Sequence, residues 1–263
     1  MACIVKAHDE LLQEQFAVSL IRDFERIFHA AHLPLRLRPY RIVATSPSSG
    51  LIEVVADAKS LDSIKKANAN SLAALFRRRY GGGRSRAFYR ARRNFVQSVA
   101  AYSVVAYLLQ VKDRHNGNIL LHADGSLVHI DFGFLLSNSP GKNIGFESAP
   151  FKLTAEWVEL MGGASSAWFG YFRSLVIRGF LEARRHREKV LAAVRAACRA
   201  TDAQLPCFRA GEAAVVAALE ERFHPELSER EAARFAAGLV GASLDNWRTG
   251  AYDCYQRCCL GIL

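Results

Sequence analysis

The sequence predicts an α+β protein with a small mixed part and a larger, mainly helical part. In residues 1–57, short runs with strand character surround one amphipathic helical stretch. From about residue 60, apolar residues recur at helical spacing, interrupted by one β-hairpin pattern at 118–130. The chain has 263 residues, 51% hydrophobic and 23% charged, so it can bury a core of one large domain or two lobes.

The first part contains three predicted strands and one predicted helix. "CIVKAH" reads as a strand, and 34–46 and 50–56 read as two more, separated by a turn at Ser46–Gly50. Between the first two strands, residues 9–31 carry apolar residues near helical spacing. These apolar residues are Leu11, Phe16, Leu20, Phe24, Ile27 and Phe28.

The second part is predicted to be organised around a buried helix. Residues 94–111 carry no charge but include several polar side chains, which favours a core helix over a membrane span. The stretch 137–151 is a loop by composition, and Thr154 is a predicted helix N-cap. Helical patterns cover residues 154–161, 165–200, 211–222, 228–240 and 246–262.

Composition limits the class of partner and compartment. The net charge is +10, and residues 77–93 hold eight arginines and no acidic residue, which predicts attraction to nucleic acid or an anionic membrane, unless the stretch is only solvated. The six cysteines form no Cys-x-x-Cys pair. They fit neither a zinc site nor a disulfide framework, so a reducing intracellular compartment is expected.

The stretch "VKDRHNGNILLHADGSLVHIDFGF" (111–134) carries the chemistry. Asp124-Gly125 reads as a two-residue hairpin turn, so paired positions sum to 249 and Asn118 lies opposite Asp131. An amide oxygen and a carboxylate at that place suit Mg²⁺. Asp113 and His115 add a carboxylate and a titratable base just upstream. Such a set is typical of phosphoryl transfer, whereas a buried hairpin with a polar loop is the plainer alternative.

These motifs resemble the phosphatidylinositol 3-/4-kinase family. Asp113-Arg114-His115 reverses the His-Arg-Asp order of ordinary protein kinases, and "HIDFG" (129–133) follows it. "RNFVQSVAAYSVVAYLLQVKDRHNGNILL", "NIGFESAPFKLT" and the ending "YDCYQRCCLGIL" resemble the type III beta phosphatidylinositol 4-kinases in particular.

The resemblance implies a two-lobed kinase-like fold. Residues 1–57 would form a partial N-lobe and residues 58–263 the C-lobe. The C-lobe would contain a catalytic loop at 111–118, a metal-binding motif at 131–133 and an activation loop at 134–153.

The resemblance also implies roles for the C-lobe residues. Asp131 and Asn118 would hold Mg²⁺, or Mn²⁺, on the phosphates of ATP. His115 would take the proton of the attacking inositol hydroxyl or stabilise the developing charge. Asp113 would orient the site, and Arg114 would be a structural anchor.

In the N-lobe, the family pattern Lys-x-Gly-Asp-Asp-Leu-Arg-Gln-Asp/Glu matches residues 6–14. Lys6 would contact the ATP phosphates, Glu14 would hold Lys6, and Tyr40 would line the inner pocket. The backbone of Glu53 and Val55 would hydrogen-bond adenine.

The chain departs from the family pattern at three points. His8 replaces a glycine and Leu12 replaces an arginine. Lys6 lies so near the start of the chain that the strand pair covering the ATP phosphates is expected to be missing.

The expected reaction transfers the ATP γ-phosphate to the 4-hydroxyl of phosphatidylinositol. Lys142 and Lys152 would meet the head group, because one or two cations suit a single phosphodiester. Peripheral contact with intracellular membranes, of Golgi type by resemblance, and unidentified recruiting proteins are expected in the cytoplasm, and no nucleic-acid partner is expected. The alternatives are a phosphatidylinositol 3-kinase, a related serine/threonine protein kinase, and an impaired kinase fragment that acts as a binding module.

Overall fold

The computed structural model describes residues 2–8, 11–46, 48–67, 71–139 and 149–244, which form two small antiparallel sheets and nine α-helices. The strands are β1 (Cys3–Ala7), β2 (Ile42–Ser46), β3 (Ser49–Glu53), β4 (Ala58–Ser60), β5 (Ile119–His122) and β6 (Leu127–His129). The helices are α1 (Leu12–Ala30), α2 (Leu61–Ala67), α3 (Leu72–Tyr80), α4 (Arg86–Leu109), α5 (Ala155–Met161), α6 (Ala167–Arg185), α7 (Arg187–Ala200), α8 (Glu212–Arg222) and α9 (Glu229–Leu244).

The first sheet has the strand order β1-β3-β2 and packs against α1. The predicted turn at Ser46–Gly50 is confirmed, since Ser46 pairs with Ser49. Residues 34–40, predicted as part of a strand, are instead irregular, and this prediction was wrong. Pro34 and Pro39 lack the amide hydrogens that a ladder needs, which explains the late start of β2.

The second sheet has the order β4-β5-β6 and belongs to the hairpin. The pairs Ile119–His129 and Leu121–Leu127 sum to 248, so the predicted register was wrong by one residue. The loop has three residues, closed by a hydrogen bond from the His122 amide to the Ser126 carbonyl (2.9 Å). Gly125 has φ +90°, as expected of the last residue of a three-residue hairpin loop.

Close packing against α4 also requires glycine at position 125 of the loop. A β-carbon there would lie 2.6 Å from the backbone oxygen of Ala91 in α4. Only glycine combines the positive φ with this close approach. The hairpin tip is therefore pressed against the start of the buried part of α4.

α4 is the central helix of the protein. From Asn94 to Leu109 nearly every side chain is buried, which confirms the prediction of a core helix. α4 packs on α6, α3 and the hairpin strand β6. It begins at Arg86, earlier than the uncharged stretch, because Ser85 caps it by accepting a hydrogen bond from the Phe88 amide.

The remaining helices follow the predicted pattern with one correction. Thr154 caps α5 by accepting from the Trp157 amide, as predicted. The single predicted helix at 165–200 is two helices, α6 and α7, which meet at His186. The predicted helix at 246–262 lies outside the described residues.

The structure has the α+β, kinase-like arrangement that the sequence predicts, with a small sheet and a larger helical part. We propose the boundary between them at 57/58. β4 begins at Ala58 and pairs with β5 of the hairpin, whereas β1, β2 and β3 pair only with one another among the described strands. α1 joins the two parts, because it packs on β2 as well as on α6 and α7.

Candidate active site

The predicted catalytic loop, residues 111–118, connects α4 with β5. α4 ends at Leu109, and the left-handed backbone of Gln110 (φ 50°) turns the chain away from the helix axis. The Lys112 amide then donates to the Phe134 carbonyl (3.1 Å), and the Leu136 amide donates to the Leu109 carbonyl (2.7 Å). The loop is therefore bonded to the segment that contains the Asp-Phe-Gly motif.

Arg114 fastens the two segments from inside. Its buried guanidinium donates to the carbonyls of Lys112 (2.9 Å), Ile130 (2.8 Å) and Asp131. It also lies over the ring of Phe132, 5.3 Å from the centroid. These bonds tie the catalytic loop to the end of the hairpin, which is consistent with the predicted role of Arg114 as a structural anchor.

His115 is held in one orientation. Its Nδ1 accepts a hydrogen bond from the Gly117 amide (3.0 Å), and its Nε2 lies 3.9 Å from Asp113 Oδ2. Burial lowers the pKa of His115 although the nearby Asp113 carboxylate opposes this shift. The ring is therefore neutral at pH 7, and because Nδ1 accepts, its proton is on Nε2.

Asn118 and Asp131 lie at the open end of the hairpin. The Ile130 amide donates to the Asn118 carbonyl (3.0 Å), so Asn118 faces Ile130 and Asp131 lies one residue further. At Asp131 the backbone is left-handed (φ 59°), which ends the strand alternation that would have put it on the opposite face. Asp113 is also left-handed (φ 59°), so both predicted aspartates lie where the backbone turns sharply.

The donors at this end of the hairpin suit a hard cation. The Asn118 Nδ2 donates to the Asp113 carbonyl (3.1 Å), so the side-chain oxygen of Asn118 points away from that carbonyl. Asp131 is exposed, and its Oδ1 accepts a long hydrogen bond from the Gly133 amide (3.3 Å). In the described part of the chain, no group of three or more His, Cys, Asp or Glu side chains could hold a metal. One carboxylate and one amide oxygen suit Mg²⁺ when phosphate and water oxygens complete its coordination shell. They are too few for a metal that is held by protein side chains alone.

Glu14 connects the small sheet part with the hairpin. Its Oε1 accepts from the Tyr40 hydroxyl (2.5 Å) and from the Asp131 amide (3.3 Å). Burial, reinforced by the Glu14 carboxylate, raises the pKa of Tyr40 well above its usual range, so Tyr40 stays a donor. The structure thus brings three predicted site residues together, and the pairing of Glu14 with Lys6 stays a prediction.

Lys6 lies in β1 opposite Gly50 of β3. Directly opposed residues share a face of a sheet, and a β-carbon at Gly50 would lie 2.8 Å from Leu11 Cδ1. Lys6 is half-buried and is therefore on the face of the sheet that is turned toward the start of α1.

Glu53 is the last residue of β3, and Val55 lies two residues beyond it. The Glu53 amide donates to the Arg41 carbonyl (2.8 Å), and the Val54 amide donates to the Ala2 carbonyl (3.0 Å). These bonds hold the segment extended beside β1. The amides of Glu53 and Val54 therefore already have hydrogen-bond acceptors within the protein.

Lys152 lies beside the catalytic loop. Its Nζ donates to the Asn116 Oδ1 (3.4 Å), and both side chains are largely shielded from solvent. The structure therefore places one of the two predicted head-group cations next to His115. The other, Lys142, lies outside the described residues.

Two site residues were missed by the sequence reasoning. Gln13 is buried on the apolar face of α1 and donates from Nε2 to the carbonyls of Phe132 (3.1 Å) and Gly133 (2.6 Å). Its Oε1 accepts from the Cys207 amide (2.9 Å). A polar residue in helical register with Ala17 and Leu20 was the available signal.

Gly117 was the second residue missed. A β-carbon there would lie 2.8 Å from His115 Cε1 and 2.9 Å from His115 Nδ1. Glycine at this position therefore allows the imidazole to fold back onto the backbone amide. A glycine two residues after a candidate base was the signal in the sequence.

Comparisons with known proteins show the family to which the chain is similar. A family model described as phosphatidylinositol 3- and 4-kinase matches residues 1–209. The chain is 48% identical over 266 residues to phosphatidylinositol 4-kinase beta 1 of Arabidopsis thaliana, an alignment of 99% of this chain and 23% of that protein. It is 45% identical over 261 residues to phosphatidylinositol 4-kinase of Dictyostelium discoideum, with 98% and 22% covered.

A vertebrate relative shows the same relation. Phosphatidylinositol 4-kinase beta of Xenopus laevis is 43% identical over 263 residues, which cover all of this chain and 32% of the relative. The chain thus spans less than a third of the length of these curated relatives. Because the family model covers residues 1–209 and these relatives align along nearly the whole chain, the chain belongs to the phosphatidylinositol 3- and 4-kinase family.

Proposed function

We propose that this chain is the catalytic part of a lipid kinase that transfers the γ-phosphate of ATP to the 4-hydroxyl of phosphatidylinositol. The observation that carries the proposal is the open end of the hairpin. There Asp113, His115, Asn118 and Asp131 are held within one hydrogen-bonded unit fastened by Arg114. The choice of the 4-hydroxyl is supported by relatives that are named phosphatidylinositol 4-kinases and align along nearly the whole chain.

The nucleotide would lie between the small sheet and the hairpin. Lys6, on the face turned toward α1, would contact its phosphates, and Glu14 would position Lys6. The Val55 amide would donate to adenine and the Glu53 carbonyl would accept from it, since the amides of Glu53 and Val54 already donate within the protein. Tyr40 would close the inner side of the pocket.

The divalent cation would be Mg²⁺ or Mn²⁺, held by Asn118 and Asp131. When bound, the cation neutralises charge on the phosphate oxygens as the phosphoryl group moves. Glu14 supports this arrangement by accepting from the Asp131 amide, which fixes the backbone that carries the carboxylate.

We infer the role of His115 from its tautomer. Because its proton is on Nε2, the neutral ring donates a hydrogen bond toward the reacting oxygens and does not accept a proton there. The inositol oxygen forms the new bond to the γ-phosphorus as the bond to the ADP oxygen breaks. The hydroxyl proton then passes to the Asp113 carboxylate, 3.9 Å from the imidazole.

The lipid head group would approach from the side of Lys152. That ammonium lies beside the catalytic loop through Asn116, where it can pair with the single phosphodiester of phosphatidylinositol. Lys142 would supply a second cation. Among the described helices, none has the length and apolar character that crossing a membrane requires. We propose peripheral contact with intracellular membranes on the cytoplasmic side, of Golgi type, assisted by recruiting proteins.

The decisive experiment is phosphorylation of phosphatidylinositol vesicles, with the position of the new phosphate determined. Asp131→Ala removes the only carboxylate proposed to hold the metal, so we expect turnover to fall at least about 1,000-fold. The matched control is Asp23→Ala, which removes an aspartate that forms an ion pair with the exposed Arg26. Near-normal activity of Asp131→Ala would refute the site, and phosphate at the 3-position would refute the regiochemistry.

A further inference from the structure

The arginine-rich stretch lies outside the site just described and forms one continuous basic surface. We call it the arginine surface: the end of α3, the loop 81–85 and the start of α4. Seven arginine side chains on it are exposed and the eighth, Arg92, is half-buried. The exposed ones are Arg77, Arg78, Arg79, Arg84, Arg86, Arg90 and Arg93. Within the described ranges, no carboxylate forms an ion pair with Arg84, Arg86 or Arg90.

The arginines are poorly placed for the stability of α4. Arg86 and Arg90 lie in the first turns of the helix, next to the positive end of its dipole, and the first turn has no acidic residue. By contrast, α5 and α8 each carry a glutamate in that turn. Burial, and then the charge of Arg77, lowers the pKa of Arg92, so the cations also repel one another. Folding alone does not account for this crowding, whereas a bound anionic partner would relieve it.

Aromatic rings lie among these cations. Tyr89 is 56% exposed and contacts the half-buried Trp168 of α6 with ring centroids 4.9 Å apart. The Arg92 guanidinium lies 4.6 Å from the centroid of Phe88 and 5.8 Å from that of Trp168. Amphipathic tyrosine and tryptophan rings are typical of the level of lipid head groups in a bilayer.

A shallow cavity of about 480 Å³ opens in this surface. Its lining is Gly83, Arg84, Ser85, Arg86, Tyr89 and Arg90. It is too open to enclose a small molecule, but three guanidinium groups beside one aromatic ring can approach several phosphate groups at once.

The arginine surface is distant from the catalytic residues but rigidly joined to them. The Tyr80 hydroxyl donates to the Ala123 carbonyl (3.0 Å), and Asn94 Nδ2 donates to the Asp124 carbonyl (2.9 Å). Both bonds are at the tip of the hairpin, whereas Asn118 is at its open end, roughly 15 Å away at ~3.3 Å per residue. Changes to the arginines therefore leave the catalytic contacts intact.

We propose that the arginine surface binds the anionic face of a lipid bilayer and holds the enzyme against the membrane that contains its substrate. This inference rests on the proposed function, because a lipid kinase works at a membrane surface. The half-exposed aromatic pair favours a bilayer over nucleic acid, and the sequence holds no nucleic-acid recognition motif. Guanidinium groups then pair with lipid phosphates and carboxylates while Tyr89 enters the head-group layer.

The test measures binding of the whole chain to vesicles without ATP. One set of vesicles is phosphatidylcholine alone, and the other also contains phosphatidylserine. The variant Arg84→Glu/Arg86→Glu/Arg90→Glu should bind the anionic vesicles at least about tenfold more weakly than the unchanged chain. The control Arg178→Glu/Arg230→Glu/Arg234→Glu makes the same change in net charge on exposed positions of α6 and α9. It should keep most of the binding.

Two results would overturn the proposal. Equal losses in the two variants would show that net charge alone attracts the chain. Unchanged vesicle binding, with loss of binding to single-stranded RNA in the arginine variant only, would assign the surface to nucleic acid. Thermal melting checks that each variant is folded, and Arg84→Gln/Arg86→Gln/Arg90→Gln replaces the first variant if it is not.

A second measurement separates this proposal from the proposed function. Phosphorylation of phosphatidylinositol in neutral detergent micelles needs the active site but no anionic bilayer. The arginine variant should match the unchanged chain in micelles and fall behind it on anionic vesicles. If vesicle binding depends on the arginines but the unchanged chain shows no turnover, the proposed function is refuted. The proposal that the arginine surface binds a membrane is then still supported.

Discussion

At the scale of single residues, backbone conformation decides where the reactive groups lie. Asp113 and Asp131 both have a left-handed backbone, which an aspartate tolerates better than most residues. Gly117 supplies room rather than an unusual backbone, since a side chain there would displace the imidazole of His115. The site therefore depends on small residues that carry out no chemistry.

Gly117→Ala should lower turnover about 10- to 100-fold, because His115 must move away from the Gly117 amide to make room. Its Nδ1 then loses the bond that fixes the tautomer. Kinetic constants and the melting temperature should be measured together. The control is Gly238→Ala, where the added methyl meets nothing within 4 Å, and it should leave activity unchanged. Loss of activity only in proportion to unfolding would contradict the positioning role.

His8 gives a prediction about stability. It replaces a glycine of the family pattern and has φ 59°, a conformation that costs an ordinary residue about 1–2 kcal/mol. His8→Gly should therefore raise the free energy of unfolding by about 1 kcal/mol in denaturant titrations. Ala7→Gly, its neighbour in β1, should lower the same quantity. A lower stability for both variants would show that His8 is not strained.

At the scale of secondary-structure elements, α1 is the link between the sheet and the hairpin. Two successive residues of α1 bind the segment around Asp131. Gln13 donates to the carbonyls of Phe132 and Gly133, and Glu14 accepts from the Asp131 amide and from the Tyr40 hydroxyl. Gln13 also holds the Cys207 amide, next to a 3-10 turn at Pro206–Phe208. A movement of α1 would therefore move the Asp-Phe-Gly segment with it.

Gln13→Met keeps the volume but removes a donor and an acceptor, leaving two carbonyls and one amide without this partner. We expect a loss of about 1–3 kcal/mol in unfolding free energy. Turnover should fall further than the remaining folded fraction explains. The control Gln15→Met loses one exposed bond to the Ala44 amide, and its effect should stay within about 0.5 kcal/mol. Similar results for both variants would show that Gln13 only fills space.

At the scale of the whole molecule, burial of neutral histidines links stability to pH. Burial lowers the pKa of His129 well below its usual value, and its ring stacks on Tyr102 with centroids 4.2 Å apart. Burial also lowers the pKa of His115. In the unfolded chain both rings take up a proton near pH 6.5, whereas in the folded chain they resist it.

Stability should therefore be complete above pH 6.5 and decrease as the pH falls below it. Each of the two histidines contributes a slope of about 1.4 kcal/mol per pH unit until its own folded-state pKa is reached. Unfolding midpoints in urea at several pH values measure this slope. His129→Phe should reduce this slope by the contribution of one histidine, about 1.4 kcal/mol per pH unit. The exposed control His29→Phe should leave the slope unchanged. An unchanged slope in His129→Phe would show that this ring does not cause the acid sensitivity.

The hairpin shows where sequence reasoning reached its limit. Apolar runs on both sides of Asp124-Gly125 predict a hairpin, and its strands are found. The register was wrong by one residue because the loop takes in Ala123, and the contact of Gly125 with Ala91 of α4 fixes that choice. Asn118 therefore faces Ile130, and Asp131 follows at the open end of the hairpin with a left-handed backbone.

By itself, the sequence determined what depends on local patterns and residue chemistry. It predicted the α+β class, the central helix, the cap at Thr154 and the stretch from Asp113 to Asp131 that we propose as a phosphoryl-transfer site. The fold decided what depends on long-range contacts: the register of the hairpin and the bonds of Gln13 and Glu14. The physical reason is that periodicity and capping act within a few residues, whereas these bonds join groups more than a hundred positions apart or follow from close packing.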